Sequence, residues 1–343
     1  MKFILLHVVK AYISLGMFFY FKKITVYHAE RVPKKQPVLI LSNHQNGLID
    51  PLIIAITCGR FFYFLTRAKV FKKSLLAKIF NALQMIPVYR LQDGWGSISN
   101  NNAIFESCTK LLHEDDAIVI FPEGNHNLKR AVRPLSKGFT RVVLDTLEKY
   151  PATDLQLVPV GVNYQDALKF PDSVSIYYGE PIAAQNYYSG EKKQDVVPLK
   201  LKIQSEISEL TTHIPAEHYD ETLDKLVALN ADFLNPMAVN YSIKNNLKDC
   251  PEKPKEHFLF IKKVFRFLLI CSFIMPYVVW KFYARPKITE LEFLATFRFA
   301  LTIVLGPFWL LLISLILFAF FGVWVALIYV VTSLIIALLA IKL

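Results

Sequence analysis

Val38-Leu39-Ile40-Leu41-Ser42-Asn43-His44-Gln45-Asn46-Gly47-Leu48-Ile49-Asp50-Pro51 is an apolar run that leads directly into a histidine and a carboxylate. Imidazole titrates near neutrality, and a carboxylate bonded to one ring nitrogen fixes the tautomer and stabilises the imidazolium formed when the other takes a proton. His44 and Asp50 are therefore a candidate general base and its orienting partner. One regular helix cannot join them, because six residues at about 100° each put them on roughly opposite faces. One of the two must sit in a turn, and Gly47 is the residue best able to provide it. The competing reading, a loop cap at His44 and a turn residue at Asp50 before Pro51, uses ordinary turn chemistry.

Segments farther along decide between these readings. Short apolar runs return at Phe62-Tyr63-Phe64-Leu65, Ala117 to Phe121 and Leu157 to Val162, separated by helical stretches such as Ser97 to His113 and Lys137 to Glu148. That alternation predicts an α/β sheet domain, and strand ends are where such domains build sites. At one such end stands Phe121-Pro122-Glu123-Gly124, a second carboxylate beside a permissive glycine. Met85-Ile86-Pro87-Val88-Tyr89-Arg90, an apolar run ending in a cation, precedes it, and Val158-Pro159-Val160-Gly161-Val162 follows.

In this order the four blocks resemble the glycerolipid acyltransferase family, whose members include glycerol-3-phosphate and lysophosphatidic acid acyltransferases. The resemblance runs over roughly residues 30 to 215. It implies that His44 is the general base and Asp50 its orienting partner. It also implies that Arg90, Glu123 and Gly124 hold a phosphate-bearing acceptor and that Pro159 shapes the acyl side. Two departures stand. Five residues separate His44 from Asp50 where the family usually has four, the extra one being assigned to the turn at Asn46 and Gly47. The longer spacing resembles some eukaryotic glycerol-3-phosphate and dihydroxyacetone-phosphate acyltransferases, which tilts the acceptor toward a small phosphorylated molecule. Glu123-Gly124 runs on into Asn125-His126-Asn127 where the family usually has threonine and arginine. The arginine's task then falls to Lys129, Arg130 or Arg133, cations suited to phosphate.

Of 343 residues 54% are hydrophobic, yet 39 are Lys or Arg and the net charge is +11. Membrane attachment reconciles the two, with cations facing anionic lipid and anionic substrates. Nucleic acid is set aside, because no helix-turn-helix, zinc or single-strand-binding signature accompanies the charge. The four cysteines, at 58, 108, 250 and 271, show no paired spacing and read as reduced thiols of a cytoplasm-facing domain. No metal and no cofactor are expected.

Met1 to Phe21 is apolar but broken by Lys2, His7 and Lys10, and it ends in aromatics before Lys22-Lys23. Residues 1–29 therefore read as a membrane-interfacial helix rather than a clean span or a removed signal. Residues 30–215 are the catalytic unit. Within it Leu65 to Lys73 interleaves aromatics and cations; the family resemblance implies a bilayer- or donor-facing edge there, and a solvated basic face is an equal reading. Residues 216–257 are a polar tail and linker, and residues 258–343 a membrane region. There Val264 to Trp280 carries cations on both sides and suits a re-entrant or surface-lying helix, while Phe299 to Ile341 is long enough for a hairpin turning near Phe320-Phe321-Gly322. The α/β domain is expected to fold without the residues after about Cys250.

The expected protein is a membrane-bound enzyme moving a fatty acyl group from acyl-CoA or acyl carrier protein to a hydroxyl of a phosphorylated glycerol. Backbone amides near Gly124 are candidates to neutralise developing charge. A lysophospholipid acyltransferase or transacylase shares these residues and differs in its acceptor. A non-catalytic membrane lipid-binding protein on the same fold is the reading if His44 and Asp50 stand apart, and a hydrolase using the pair on water is a further alternative. Acceptor, donor carrier, chain length and oligomeric state stay open.

Overall fold

A computed structural model describes residues 2–71, 74–89, 101–255 and 257–343. In chain order it contains α1 (Lys2–Phe18), β1 (Lys23–Tyr27), β2 (Val38–Ser42), α2 (Ile49–Thr57), β3 (Tyr63–Arg67), α3 (Ser74–Ala82), β4 (Met85–Val88), α4 (Asn101–His113), β5 (Ala117–Ile120), α5 (Gly138–Lys149), β6 (Gln156–Tyr164), β7 (Ser173–Tyr178), β8 (Ile182–Ala183) and α6 (Lys192–Leu210). The strands form one sheet in the order β1-β7-β6-β2-β5-β3-β4, with β8 also on β6. Pairing is parallel except where β6 meets β7 and β8. The protein is thus α/β.

Helices cover both faces of the central strands, which is why those strands read as continuous apolar runs rather than alternating ones. Val38, Ile40, Val158, Val160, Val162 and Tyr164 share one core with Met17 and Ile53. Leu39, Leu41, Ile118, Ile120 and Leu157 share the other with Ile104 and Phe139 and with Leu199, Ile203 and Ile207 of α6. Strand register brings two of the candidate loops together. Leu41 stands opposite both Ile120 and Pro159, so the segments beginning at His44 and Phe121 emerge at the same end of the sheet.

One sequence expectation is corrected, and another meets contacts it did not anticipate. β1 belongs to the sheet, where it pairs with β7, so a boundary at residue 29 would cut off an edge strand. The chain beyond Cys250 is not an appendage either. After α7 (Tyr219–Ala228) and α8 (Pro236–Lys244), which pack a small core around Leu226, Phe233 and Val239, come α9 (Leu259–Ser272), α10 (Leu294–Phe321) and α11 (Val323–Lys342). Ala295 and Phe299 of α10 are buried in the same core as Met17, Tyr20 and Ile49. Arg298 donates to the Tyr20 hydroxyl at 2.8 Å and to the Lys169 carbonyl at 2.8 Å, while Lys342 Nζ reaches the Phe21 carbonyl at 2.8 Å. Apolar burial and charge-assisted hydrogen bonds thus join the C-terminal helices to the sheet domain.

The apolar run from Val264 is not one helix: α9 ends at Ser272, and a short helix, Ile274–Val278, comes next. α10 and α11 meet at Gly322, whose φ of +83° makes the break. Among the described residues these two helices are long and apolar enough to cross a membrane.

Candidate active site

Gly47 adopts φ +33°, and the turn it makes brings His44, in the loop after β2, onto Asp50 in the first turn of α2. His44 Nδ1 lies 2.8 Å from Asp50 Oδ2. The same oxygen accepts the backbone N–H groups of Gln45 and Asn46 at 2.8 Å each, and Oδ1 accepts the Tyr164 hydroxyl at 2.5 Å. Asp50 is wholly buried, yet its acceptor-only oxygens are satisfied by four donors and by the favourable end of a helix. Burial, reinforced by the Asp50 charge, pushes the Tyr164 phenol well above its usual pKa, which keeps it a donor. With Nδ1 committed to Asp50, Nε2 of His44 is the nitrogen left to act as base.

Neighbouring loops hold the imidazole in place. Its ring stacks on Phe121 with centroids 4.1 Å apart and meets His126 edge-on at 5.6 Å. Asn43 pairs its amide with both backbone groups of Val162, at 2.9 and 2.8 Å, and Asn127 N–H donates to the His44 carbonyl at 3.0 Å.

Glu123 and Arg133 form a second polar group beside the pair. Arg133 Nε donates to Glu123 Oε2 at 2.6 Å, and both its terminal nitrogens engage Asn125. Burial raises the Glu123 carboxyl above its usual pKa, opposed by Arg133 and more weakly by His44. Gly124 takes φ +79°, and its N–H is bonded to the Phe121 carbonyl at 3.1 Å, so that amide shapes the turn and is already used.

Other sequence candidates are placed differently. Arg130 is engaged with backbone: its terminal nitrogens donate to the carbonyls of Tyr164 and Gln165 at 2.9 Å each, and the guanidinium lies 3.6 Å over the Phe233 ring. Burial lowers its pKa to about 10. It ties the Glu123 loop to the end of β6. Pro159 is buried in β6 beside Leu41, and its carbonyl accepts Gly179 N–H at 2.8 Å, so it bears on the site through the sheet. Arg90, Lys72 and Lys73 lie outside the described residues.

Sequence reasoning missed Tyr164, Asn43 and a whole wall of the site. Tyr164 continues the inward series Val158, Val160, Val162, and that period of two was its only signal. The wall comes from the segment entering α10. Thr296 Oγ1 accepts Leu48 N–H at 2.9 Å, Phe293 meets His126 edge-on at 4.4 Å, and both crowd Gly47, leaving no room for a Cβ there.

A partly buried, carboxylate-oriented histidine at the end of a mostly parallel sheet is an arrangement suited to acyl transfer, and residues 23–163 match the family model described as Acyltransferase. Over that segment the chain is similar to acyltransferase domains. Over 121 residues it is 29% identical to glycerol-3-phosphate O-acyltransferase 2 of Saccharomyces cerevisiae, covering 34% of this chain and 16% of that protein. Over 137 residues it is 29% identical to the 1-acyl-sn-glycerol-3-phosphate acyltransferase of Borreliella burgdorferi, covering 40% of this chain and 52% of that one. The chain therefore spans about half or less of these relatives' lengths. The crystal structure of the 1-acyl-sn-glycerophosphate acyltransferase PlsC from Thermotoga maritima aligns with a TM-score of 0.43 at 16% identity, over 60% of this chain and 80% of that one.

Proposed function

We propose that this protein is a membrane-bound O-acyltransferase that moves a fatty acyl group from a thioester, acyl-CoA or acyl carrier protein, to a hydroxyl of a phosphorylated glycerol acceptor. The observation that carries the reading is the 2.8 Å contact between His44 Nδ1 and an Asp50 that three further donors hold in place. His44 Nε2 removes the acceptor hydroxyl proton as the oxygen attacks the thioester carbonyl, and Asp50 stabilises the imidazolium. The tetrahedral intermediate collapses by breaking the C–S bond, and the thiolate takes the proton back from His44. Arg133, held by Glu123 and Asn125, and Arg90 are the proposed phosphate ligands. α10 and α11 span the bilayer as a hairpin while the exposed apolar side chains of α1, such as Phe3, Ile4 and Val8, lie in its interface. An acyl chain gains about 0.8 kcal/mol per buried CH₂, so donor and product stay in the bilayer where the anchored domain meets them.

The test is purified protein in detergent with labelled acyl-CoA and a panel of glycerol-3-phosphate, dihydroxyacetone phosphate and lysophosphatidate. Transfer to at least one acceptor is expected, with His44→Ala lower by about 10²–10⁴-fold while remaining folded. No transfer by the native protein, or near-native turnover by His44→Ala, overturns the reading.

A further inference from the structure

The pair His44–Asp50 is held on its inner side by the sheet, through Asn43 on Val162 and Tyr164 on Asp50. On its outer side the turn is held by a different part of the chain. Thr296, in the first turn of α10, accepts the Leu48 N–H at 2.9 Å. Leu48 immediately precedes α2, so this N–H is one of the donors that a helix start leaves without an intrahelical partner. Leu48 itself has no side-chain cap to offer at that start. Phe293 closes over the same turn and touches His126, which in turn meets the His44 ring.

The residues around Thr296 are packed and hydrogen-bonded to the sheet domain. Ala295 and Phe299 are buried in the sheet core, and Tyr20 donates to the Ala295 carbonyl at 3.3 Å while accepting from Arg298 at 2.8 Å. α10 also approaches α1 closely enough that a Cβ at Gly16 would lie 2.7 Å from Ile303. The brace and the first arm of the candidate membrane hairpin are thus one helix, fixed at the end where it meets the catalytic turn.

We infer that Thr296 is a positioning residue for His44: its hydroxyl fixes the Gly47–Leu48 turn, so the apolar C-terminal helix completes the catalytic geometry as well as anchoring the protein. The inference rests on the acyltransferase reading for its kinetic consequence only. Thr296→Val keeps the shape and removes the acceptor oxygen, Thr296→Ser restores it, and Thr302→Val is the control. Thr302 lies on the same helix with its hydroxyl spent on the Arg298 carbonyl at 2.8 Å.

The experiment is steady-state kinetics of the full chain in detergent, with hydrogen exchange at a peptide spanning residues 45–50. Thr296→Val is expected to lower kcat about tenfold with acceptor and donor KM within about twofold, and to exchange faster at that peptide. Thr296→Ser and Thr302→Val are expected to match the native protein. Native kcat or native exchange in Thr296→Val overturns the inference, as does failure of Thr296→Ser to recover, or an equal loss in Thr302→Val. A native protein that transfers no acyl group ends the acyltransferase reading alone, since the exchange difference still decides whether Thr296 fixes the turn.

Discussion

The Tyr164 hydroxyl donates to the Asp50 carboxylate at 2.5 Å, across 114 residues of sequence. The contact joins the end of β6 to the start of α2 and is the donor to Oδ1, the oxygen that His44 does not use. Hydrogen bonds to charged groups contribute about 1.5–3 kcal/mol. Tyr164→Phe is therefore expected to lower kcat by about 10- to 100-fold with little change in acceptor KM, measured by steady-state kinetics. An unchanged kcat would mean that the three donors on Oδ2 suffice.

Asp50→Asn replaces an acceptor-only group with one that also donates, and places an NH₂ against donors. Leaving a buried donor unsatisfied costs about 1–3 kcal/mol. The variant is expected to lose both transfer activity and several degrees of Tm, read by kinetics and thermal denaturation. A variant as stable as the native protein would show that the turn rearranges around the amide.

Arg133→Ala should act through Glu123 and should do so with a definite dependence on pH. Burial already raises the Glu123 carboxyl, and Arg133 opposes that rise. Without the guanidinium the folded-state pKa climbs further above the unfolded value, so the folded state binds more protons and stability falls as pH rises through that interval. The Tm difference between native and variant is expected to be small in acid, where Glu123 is protonated in both states, and to widen toward neutral pH. A difference that does not vary with pH would separate Arg133 from Glu123 energetically. In kinetics the same variant is expected chiefly to raise acceptor KM.

Truncation after Lys255 removes Ala295, Phe299 and Arg298 from the contact with Tyr20 and the sheet core. The shortened protein is expected to melt lower and to lose activity even toward dispersed short-chain substrate, measured side by side with the full chain. Retained activity on dispersed substrate would make the C-terminal helices an anchor alone.

Central strands were legible because burial on both faces writes itself as uninterrupted Val, Ile and Leu, and the turn at Gly47 was legible because helical geometry forbids joining His44 to Asp50 directly. Long-range partners were not. Nothing local marks Tyr164 as the partner of Asp50, and hydropathy cannot tell Phe299, which faces protein, from Phe308 or Phe320, which are exposed. Arg130 and Arg133 carry the same charge three residues apart in an irregular loop, yet one is spent on carbonyls behind the site and the other pairs with Glu123 beside it. Charge shows that a cation is present, and only the fold determines where it points.

The bond between Leu48 and Thr296 closes a loop of 248 residues. At synthesis rates of about 5–20 residues per second, roughly ten to fifty seconds separate the two residues as they leave the ribosome. For the later part of that time a nascent chain can already hold its histidine, its aspartate and its sheet strands while the turn between them is held from one side only. On the inference that Thr296 fixes the turn, a new molecule becomes competent only after the start of α10 has left the ribosome.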